Sequence, residues 1–106
     1  MDDKMMLDKT VSKKQDIDYI FLFKGYTIMV LKNGTNEVLD LPLCKMERLL
    51  TDQPFFRIHR SFLVNLRRVT ELEIKNNKLL INIRGHALPV ARRKRRQLLQ
   101  LLGTVN

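Results

Sequence analysis

The fold is decided by the stretch FRIHRSFLVNL at residues 56–66. Its first half, up to Arg60, alternates in part between apolar and polar residues, which is typical of a half-buried β-strand. Residues 61–65 then predict a short turn-like connection. The stretch therefore places an arginine-bearing loop directly after a strand whose Phe56 and Ile58 we expect in the core.

Strand-like sequences also lie on the N-terminal side. Residues 16–23 (DIDYIFLF) and 26–32 (YTIMVLK) are rich in β-branched and aromatic residues. They are separated by Lys24-Gly25, which predicts two strands joined by a tight turn. The tetrapeptide NGTN at 33–36 predicts a hairpin with a primed turn into a strand over 37–41, because Asn-Gly tolerates positive φ.

A short helix is predicted over residues 42–50, because Pro42 suits an early helical position where its missing N–H costs nothing. The only cysteine, Cys44, lies on the apolar side of this helix. We expect it to be a small buried residue rather than a reactive thiol. The apolar stripe of the helix consists of Leu43, Met46 and Leu50.

Two further turns are predicted downstream. Residues 69–74 and 79–84 flank Lys-Asn-Asn-Lys at 75–78, which predicts a second hairpin. A third turn at 84–86 leads to a strand over 87–90, which a proline within it keeps short.

A second helix is predicted over residues 91–102, with Gly103 directly after its last turn. Residues 1–15 are polar and charged and predict a flexible leader, with room for an edge strand near residues 5–7. The rest, residues 16–103, is predicted to be one mainly β domain with two short helices. The inward stripe of the second helix consists of Ala91, Leu98, Leu101 and Leu102.

The composition excludes several classes of protein. A chain of 106 residues, 44% hydrophobic and 29% charged, is a single globular domain. One cysteine excludes an internal disulfide and a cysteine-based zinc site, and four glycines cannot build a glycine-rich phosphate loop. Two histidines without a recognisable acid–base or nucleophile arrangement argue against an enzyme, so we predict no catalytic residue, metal or cofactor. With neither a signal peptide nor a membrane-spanning sequence, a cytoplasmic location is the simplest interpretation.

The positive charge lies in one half of the chain. Of the formal net charge of +9, residues 57–96 contribute 12 Lys and Arg against 2 acidic residues, whereas the other residues carry 8 basic and 9 acidic groups. The densest run is RRKRR at 92–96. A charged run is usually a solvated face. The asymmetry here instead favours a surface that binds a polyanion, because neighbouring cations repel unless an anion neutralises them.

The known nucleic-acid readers differ in what they require. A helix-turn-helix needs helices in succession, a zinc finger needs more cysteines, and an RRM needs an aromatic-rich strand that residues 57–62 match poorly. What remains is a β scaffold that presents loops carrying Arg, His and Asn. Four aromatic residues in the strands could stack on bases, but we favour the core for them: Tyr26, Phe55, Phe56 and Phe62.

The opening stretch at 56–66, followed by Val69, closely resembles the central signature of the LytTR DNA-binding domain. LPVARR at 88–93 with the cations after it resembles the closing segment of that family, and residues 17–50 match its first strands and helix. The resemblance covers roughly residues 16–102. It implies an elongated β-fold of short antiparallel strands, in a bacterial transcription regulator that inserts loop residues into major grooves of DNA. This chain resembles a stand-alone version without a receiver domain, or an excised one.

The resemblance also implies site residues. Arg60 stands where the family places a loop residue at base edges, and Arg92 occupies a second base-contacting position, where serine is more common in the family. A third contact in the family falls on Gly25, which has no side chain, so Lys24 is expected to contact phosphate instead. Arginine is the best bidentate reader of guanine, which suits it to both base-contacting positions.

The other cations suit phosphate contacts, which position a protein without specifying sequence. His59 is expected either to buttress the Arg60 loop or to touch phosphate, and Asn65 to bond its own backbone. The predicted phosphate-contacting cations are Arg67, Arg68, Arg93, Lys94, Arg95 and Arg96.

These features favour a sequence-specific regulator that binds double-stranded DNA at repeated half-sites, as a monomer or a weak homodimer. The alternatives are a small basic RNA- or ribosome-binding β protein and an adaptor whose basic face binds an acidic protein. Membrane binding is not expected.

Overall fold

Among residues 14–50 and 54–105, which the computed structural model describes, eight strands form two antiparallel sheets. The first sheet has the order β3-β2-β1-β5-β4, and the second has the order β6-β7-β8. The strands of the first sheet are β1 (Ile17–Phe23), β2 (Tyr26–Leu31), β3 (Asn36–Leu39), β4 (Phe55–His59) and β5 (Phe62–Asn65). Those of the second are β6 (Glu71–Lys75), β7 (Lys78–Ile83) and β8 (His86–Pro89).

Two α-helices and three short 3₁₀ helices complete the described elements. They are α1 (Leu43–Leu49), α2 (Arg95–Val105) and 3₁₀ helices at Lys14–Asp16, Leu66–Arg68 and Arg92–Lys94. The mainly β fold with two short helices is thus confirmed. The principal extents of 43 × 30 × 26 Å match the expected elongated outline.

The first sheet has apolar layers on both faces. On one face it packs against α1 through Ile20, Met29 and Leu63, with Leu43, Met46 and Leu50 of the predicted stripe buried there. On the other face, Tyr19, Ile58 and Val64 pack against the second sheet and Leu98 of α2. Burial of these side chains on both faces of the sheet provides the main stabilisation of the fold.

Three of the two-residue hairpin turns have the backbone geometry that their sequences favour. Both turn residues have positive φ at Lys24-Gly25 (50° and 84°), Asn76-Asn77 (54° and 64°) and Arg84-Gly85 (50° and 82°). Positive φ at both positions gives a type I′ turn, whose twist matches that of the flanking strands. These turns are where the sequence predicts them.

Two predictions of local structure are wrong. Residues 61–65 are not a turn-like connection: residues 62–65 form β5, which lies between β1 and β4 in the sheet. The Asn33-Gly34 turn is not of the primed type, because only Gly34 has positive φ (88°). There Thr35 N–H donates to Asn33 Oδ1 (2.9 Å), so the connection is a longer, side-chain-supported loop.

The C-terminal helix also differs from its prediction. Residues 92–94 form a 3₁₀ helix, α2 starts only at Arg95, and Gly103 lies within α2 rather than after it. Ala91 is only partly buried. The run of cations at the start has no acidic residue or side-chain cap to stabilise a regular first turn.

Two side chains expected in the core are exposed. Cys44 lies on the solvent side of α1, and Tyr26 is 61% exposed because it stands at the end of its strand, beside a turn. Phe56 is buried as predicted, and Phe55 and Phe62 are partly buried against the two cores. The edge strand predicted near residues 5–7 lies outside the described residues. Of the predicted leader, Lys14 and Gln15 are described, and they begin a 3₁₀ helix.

Candidate nucleic-acid interface

Two cation-bearing turns lie side by side at one end of the first sheet. Arg60 and Ser61 connect β4 to β5, and Lys24-Gly25 connects β1 to β2. Leu22 N–H donates to the Ser61 carbonyl (3.0 Å), which joins the two connections directly. The centres of the two hairpins are two strand spacings apart in the sheet, or about 10 Å.

A third cation-bearing segment is attached to the same end by a β-bulge. In the β4–β5 pair, Arg57 lies opposite Leu63 and His59 opposite Phe62, so Ile58 is the extra residue. A bulged residue leaves the regular ladder of hydrogen bonds. The Ile58 carbonyl accepts a hydrogen bond from Ala91 N–H (2.7 Å), which holds the following 3₁₀ helix Arg92–Lys94 beside the Arg60 turn.

Two adjoining surface depressions show how these segments are arranged. One, of about 210 Å³, is lined by Arg60, Arg93 and Lys94 among others. The second, of about 280 Å³, is lined by Arg92, Arg95 and Lys78 among others. His59 and Ala91 line both depressions. The two predicted base-contacting arginines therefore lie on either side of His59.

The side chains of Arg60 and Arg92 are free to reach a ligand. Both residues are exposed, and within the described part of the chain neither guanidinium forms a hydrogen bond or ion pair. Two other predicted cations lie over aromatic rings. Lys24 Nζ is 5.4 Å from the centroid of Phe23, and Lys94 Nζ is 5.2 Å from that of the buried Phe56.

His59 supports the loop rather than extending from it. Its Nδ1 accepts a hydrogen bond from Ser61 N–H (3.1 Å), and its ring lies 5.8 Å from that of Phe62. The first of the two roles predicted for His59, buttressing the Arg60 loop, therefore has direct structural support.

The sequence model of the LytTr DNA-binding domain matches residues 9–103. The chain belongs to the LytTR family of DNA-binding domains. Membership in this family indicates DNA binding and transcription regulation, and it agrees with the position of the cations described above.

The LytTR domain is similar to two curated relatives, the sensory transduction proteins LytT of Bacillus cereus and Bacillus anthracis. Each is 32% identical over 90 residues, which are 83% of this chain and 36% of the relative. The chain thus spans about a third of the length of these relatives. The fold is that of a solved LytTr DNA-binding domain from a Bacillus cereus protein described as a methyl-accepting/DNA response regulator. Its TM-score is 0.73 at 24% identity, with 84% of this chain and 83% of that chain covered.

Arg57 contacts the Arg60 loop of the LytTR domain in a way that sequence reasoning did not identify. Its Nε donates to the His59 carbonyl (3.1 Å) and its Nη2 to the Arg60 carbonyl. Arg57 alternates with the buried residues Phe56 and Ile58, so the pattern indicates only that it points away from them. No signal in the sequence shows that it folds back onto the loop.

Two predicted phosphate contacts lie elsewhere in the LytTR domain. Arg67 and Arg68 follow β5 at the end opposite to Arg60. Asn65 begins their 3₁₀ helix as a buried cap: its Oδ1 accepts from Arg67 N–H (3.0 Å) and its Nδ2 donates to the Ile17 carbonyl (2.9 Å). The prediction that Asn65 is structural is confirmed.

Arg68 takes part in a structural cluster around the buried carboxylate of Asp18. Its Nη2 donates to the Gln15 carbonyl (2.7 Å), and its Nε lies 3.6 Å from Asp18 Oδ1. The Asp18 side chain is 1% exposed, and its Oδ2 accepts from Arg84 Nε (2.6 Å). This cluster links the first sheet to the β7–β8 turn of the second. Burial, and secondly the Asp18 charge, raise the pKa of the adjacent Tyr19 above its usual 10.0.

The last two predicted phosphate contacts differ from one another. Arg95 Nη2 donates to the Asn77 carbonyl (2.6 Å), which ties the start of α2 to the β6–β7 turn. Arg96 is exposed in the same first turn. No helix in the described part of the chain combines the length and the apolar character needed to cross a bilayer.

Proposed function

We propose that this LytTR domain binds double-stranded DNA sequence-specifically through the edge formed by three segments. These are the Lys24-Gly25 turn, the Arg60-Ser61 turn and residues 91–94, which we call the recognition edge. Arg60 and Arg92 contact bases in the major groove, and Lys24, Arg93 and Lys94 contact phosphates. The proposal rests on one observation: two backbone hydrogen bonds, Leu22 to Ser61 and Ala91 to Ile58, gather these cations at one edge.

The dimensions of DNA support this assignment. A major groove about 12 Å wide admits a protein loop. Measured across the strands, the two hairpin turns of the edge are about 10 Å apart. When Arg60 enters the groove, Lys24 therefore lies close to a phosphate at its rim. Arg67 and Arg68 are left out of the proposed interface because they lie at the opposite end of β5.

Exposure and rigidity also distinguish the base-contacting residues from the supporting ones. Arg60 and Arg92 are exposed, yet each extends from backbone that is hydrogen-bonded to a neighbouring segment. A charged side chain on a rigid base loses little conformational freedom when it binds. A good bidentate contact from arginine to guanine contributes about 1–3 kcal/mol of discrimination.

At the level of the whole protein, we propose a bacterial transcription regulator acting in the cytoplasm, where its DNA target lies. Repeated half-sites about 10 base pairs apart would present the same groove to two copies on one face of the duplex. A monomer or weak homodimer is sufficient for such binding.

The decisive experiment compares affinity for a duplex selected by the wild-type domain with affinity for random duplex, RNA and single-stranded DNA. Arg60→Ala and Arg92→Ala should each weaken binding to the selected duplex by about 1–3 kcal/mol and change binding to random duplex little. Arg67→Ala is the matched control, expected to change neither. Equal losses on both duplexes would make Arg60 and Arg92 phosphate contacts, and preference for RNA would refute the proposal.

Salt dependence provides a second test of the same proposal. If about six phosphates are neutralised, log K should fall against log salt concentration with a slope of roughly −5. Lys94→Ala should reduce this slope and weaken all duplexes alike. A slope near zero would exclude a polyanion as the ligand.

A further inference from the structure

The Arg60-Ser61 turn differs from the other two-residue hairpin turns of the domain. The turns at Lys24-Gly25, Asn76-Asn77 and Arg84-Gly85 have positive φ at both residues, whereas neither Arg60 nor Ser61 does. A two-residue turn without positive φ does not match the twist of its strands by itself. Its conformation must therefore be held by other contacts.

Besides the bond from Ser61 N–H to His59 Nδ1, Arg57 supplies such contacts with its whole guanidinium group. Nε donates to the carbonyl of His59, the last residue of β4, and Nη2 donates to the carbonyl of Arg60, the first residue of the turn. Nη1 donates to Glu47 Oε1 (2.9 Å). The Arg57 side chain is 16% exposed. The planar fork of an arginine can engage three acceptors at once, which the single ammonium of lysine cannot do in the same geometry.

Glu47 connects this arrangement to the helix layer. It lies on α1, whose Leu43 and Met46 are buried against the first sheet. The Glu47 carboxylate balances the charge of Arg57. The turn cation whose charge remains available to a ligand is therefore Arg60. The turn is thus held between its own strand and a helix that is packed into the core.

We propose that Arg57 and Glu47 form a positioning pair that sets the base specificity of Arg60 without contacting DNA. This inference rests on the proposed function. By fixing the two carbonyls of the turn, the pair holds the Arg60 side chain in the orientation that reads one base. Binding sites that are held rigid by supporting hydrogen bonds discriminate better than loose ones.

The test uses the full chain and a duplex selected by the wild type. Arg57→Lys keeps the charge but loses the fork, so affinity for the selected duplex should fall about tenfold while affinity for random duplex stays unchanged. Glu47→Ala should give a smaller loss in the same direction, about threefold. Arg67→Lys, a matched substitution at the far end of β5, should leave both affinities unchanged.

Two outcomes would overturn the proposal. Equal losses on both duplexes would make Arg57 a phosphate contact. Unchanged affinities for both duplexes, with or without a lower melting temperature, would leave it only a structural role. NMR spectra of the free protein provide a test that does not depend on DNA. In these spectra, Arg57→Lys should shift the backbone amide resonances of Arg60 and Ser61. Unshifted resonances would refute the positioning role. If the wild type itself does not discriminate between duplexes, the proposed function fails, and the free-protein spectra still decide whether Arg57 positions the turn.

Discussion

Replacing Ala91 by proline would remove one backbone N–H group and keep the backbone conformation of residue 91. Ala91 has φ −60° and ψ 139°, and the proline ring imposes the same φ. The lost N–H is the one that donates to the Ile58 carbonyl (2.7 Å). The Ala91 carbonyl still accepts from Lys94 N–H (2.8 Å). The main perturbation is therefore the loss of the bond between the β4 bulge and the 3₁₀ helix that carries Arg92.

The magnitude follows from the burial of the acceptor. Ile58 has no exposed surface, so its carbonyl has no access to water once the donor is lost. An unsatisfied buried acceptor costs about 1–3 kcal/mol. Proline also reduces the conformational entropy of the unfolded chain, which offsets about 0.4–1 kcal/mol of this cost. We therefore expect the free energy of unfolding to fall by about 1–2 kcal/mol, which lowers the melting temperature of a domain this size by several degrees.

Urea denaturation and duplex binding together test this reasoning. Ala91→Ser, which keeps the N–H, is the matched control. Ala91→Pro should be less stable than the control, and it should lose affinity for the selected duplex while keeping that for random DNA, since the spacing of Arg60 and Arg92 is no longer fixed. If the proline variant is as stable and as selective as the serine variant, this hydrogen bond does not organise the recognition edge.

Three other substitutions test the scaffold behind the edge. Arg84→Gln should lower the free energy of unfolding in urea by about 2–3 kcal/mol, because it leaves the buried Asp18 carboxylate without its close partner. Asp18→Asn should cost only about 1 kcal/mol, since water can solvate Arg84, which is 47% exposed, and Arg68 keeps its hydrogen bond to the Gln15 carbonyl. Asn65→Ala removes the hydrogen-bond partners of the Ile17 carbonyl and the Arg67 N–H, and it should lower the free energy of unfolding by about 2–4 kcal/mol in the same assay. In a Tyr26→Phe background, tyrosinate absorbance should place the pKa of Tyr19 above 10.0; because the unfolded state then loses its proton first, stability should fall as the pH rises past that value. A Tyr19 that titrates at or below 10.0 would contradict this.

Strands and hairpins were predictable wherever local sequence decides the structure. Lys24-Gly25 and Arg84-Gly85 fall between β-branched runs, and glycine at the second position accepts positive φ without strain. The stripe of α1 was predictable for the same reason, since its period matches one buried helix face. The alternation of apolar and polar residues in β4 also predicted the burial of Phe56 and Ile58.

The errors occur where tertiary contacts override the local pattern. Residues 62–65 are a segment of only four residues, and they form a strand because β1 and β4 pair with them on both sides. Cys44 is next to a buried stripe in sequence but faces solvent. The local sequence also does not distinguish cations held in structural ion pairs from cations without a partner. Arg68 is bound to Asp18, fifty positions away, whereas Arg92 has no such partner in the described part of the chain.

The proposed base-contacting positions were accessible to sequence reasoning through a family signature, but the physical basis of their geometry was not. A bulge at Ile58 leaves a carbonyl free, and that carbonyl binds a segment 33 residues later. The Arg60 turn lacks positive φ, so Arg57 and His59 hold it with side-chain hydrogen bonds. As a result, the scaffold holds the backbone of residue 60 while its side chain forms no hydrogen bond or ion pair in the described fold. A residue at such a position can change the DNA sequence that is read without changing the stability of the protein.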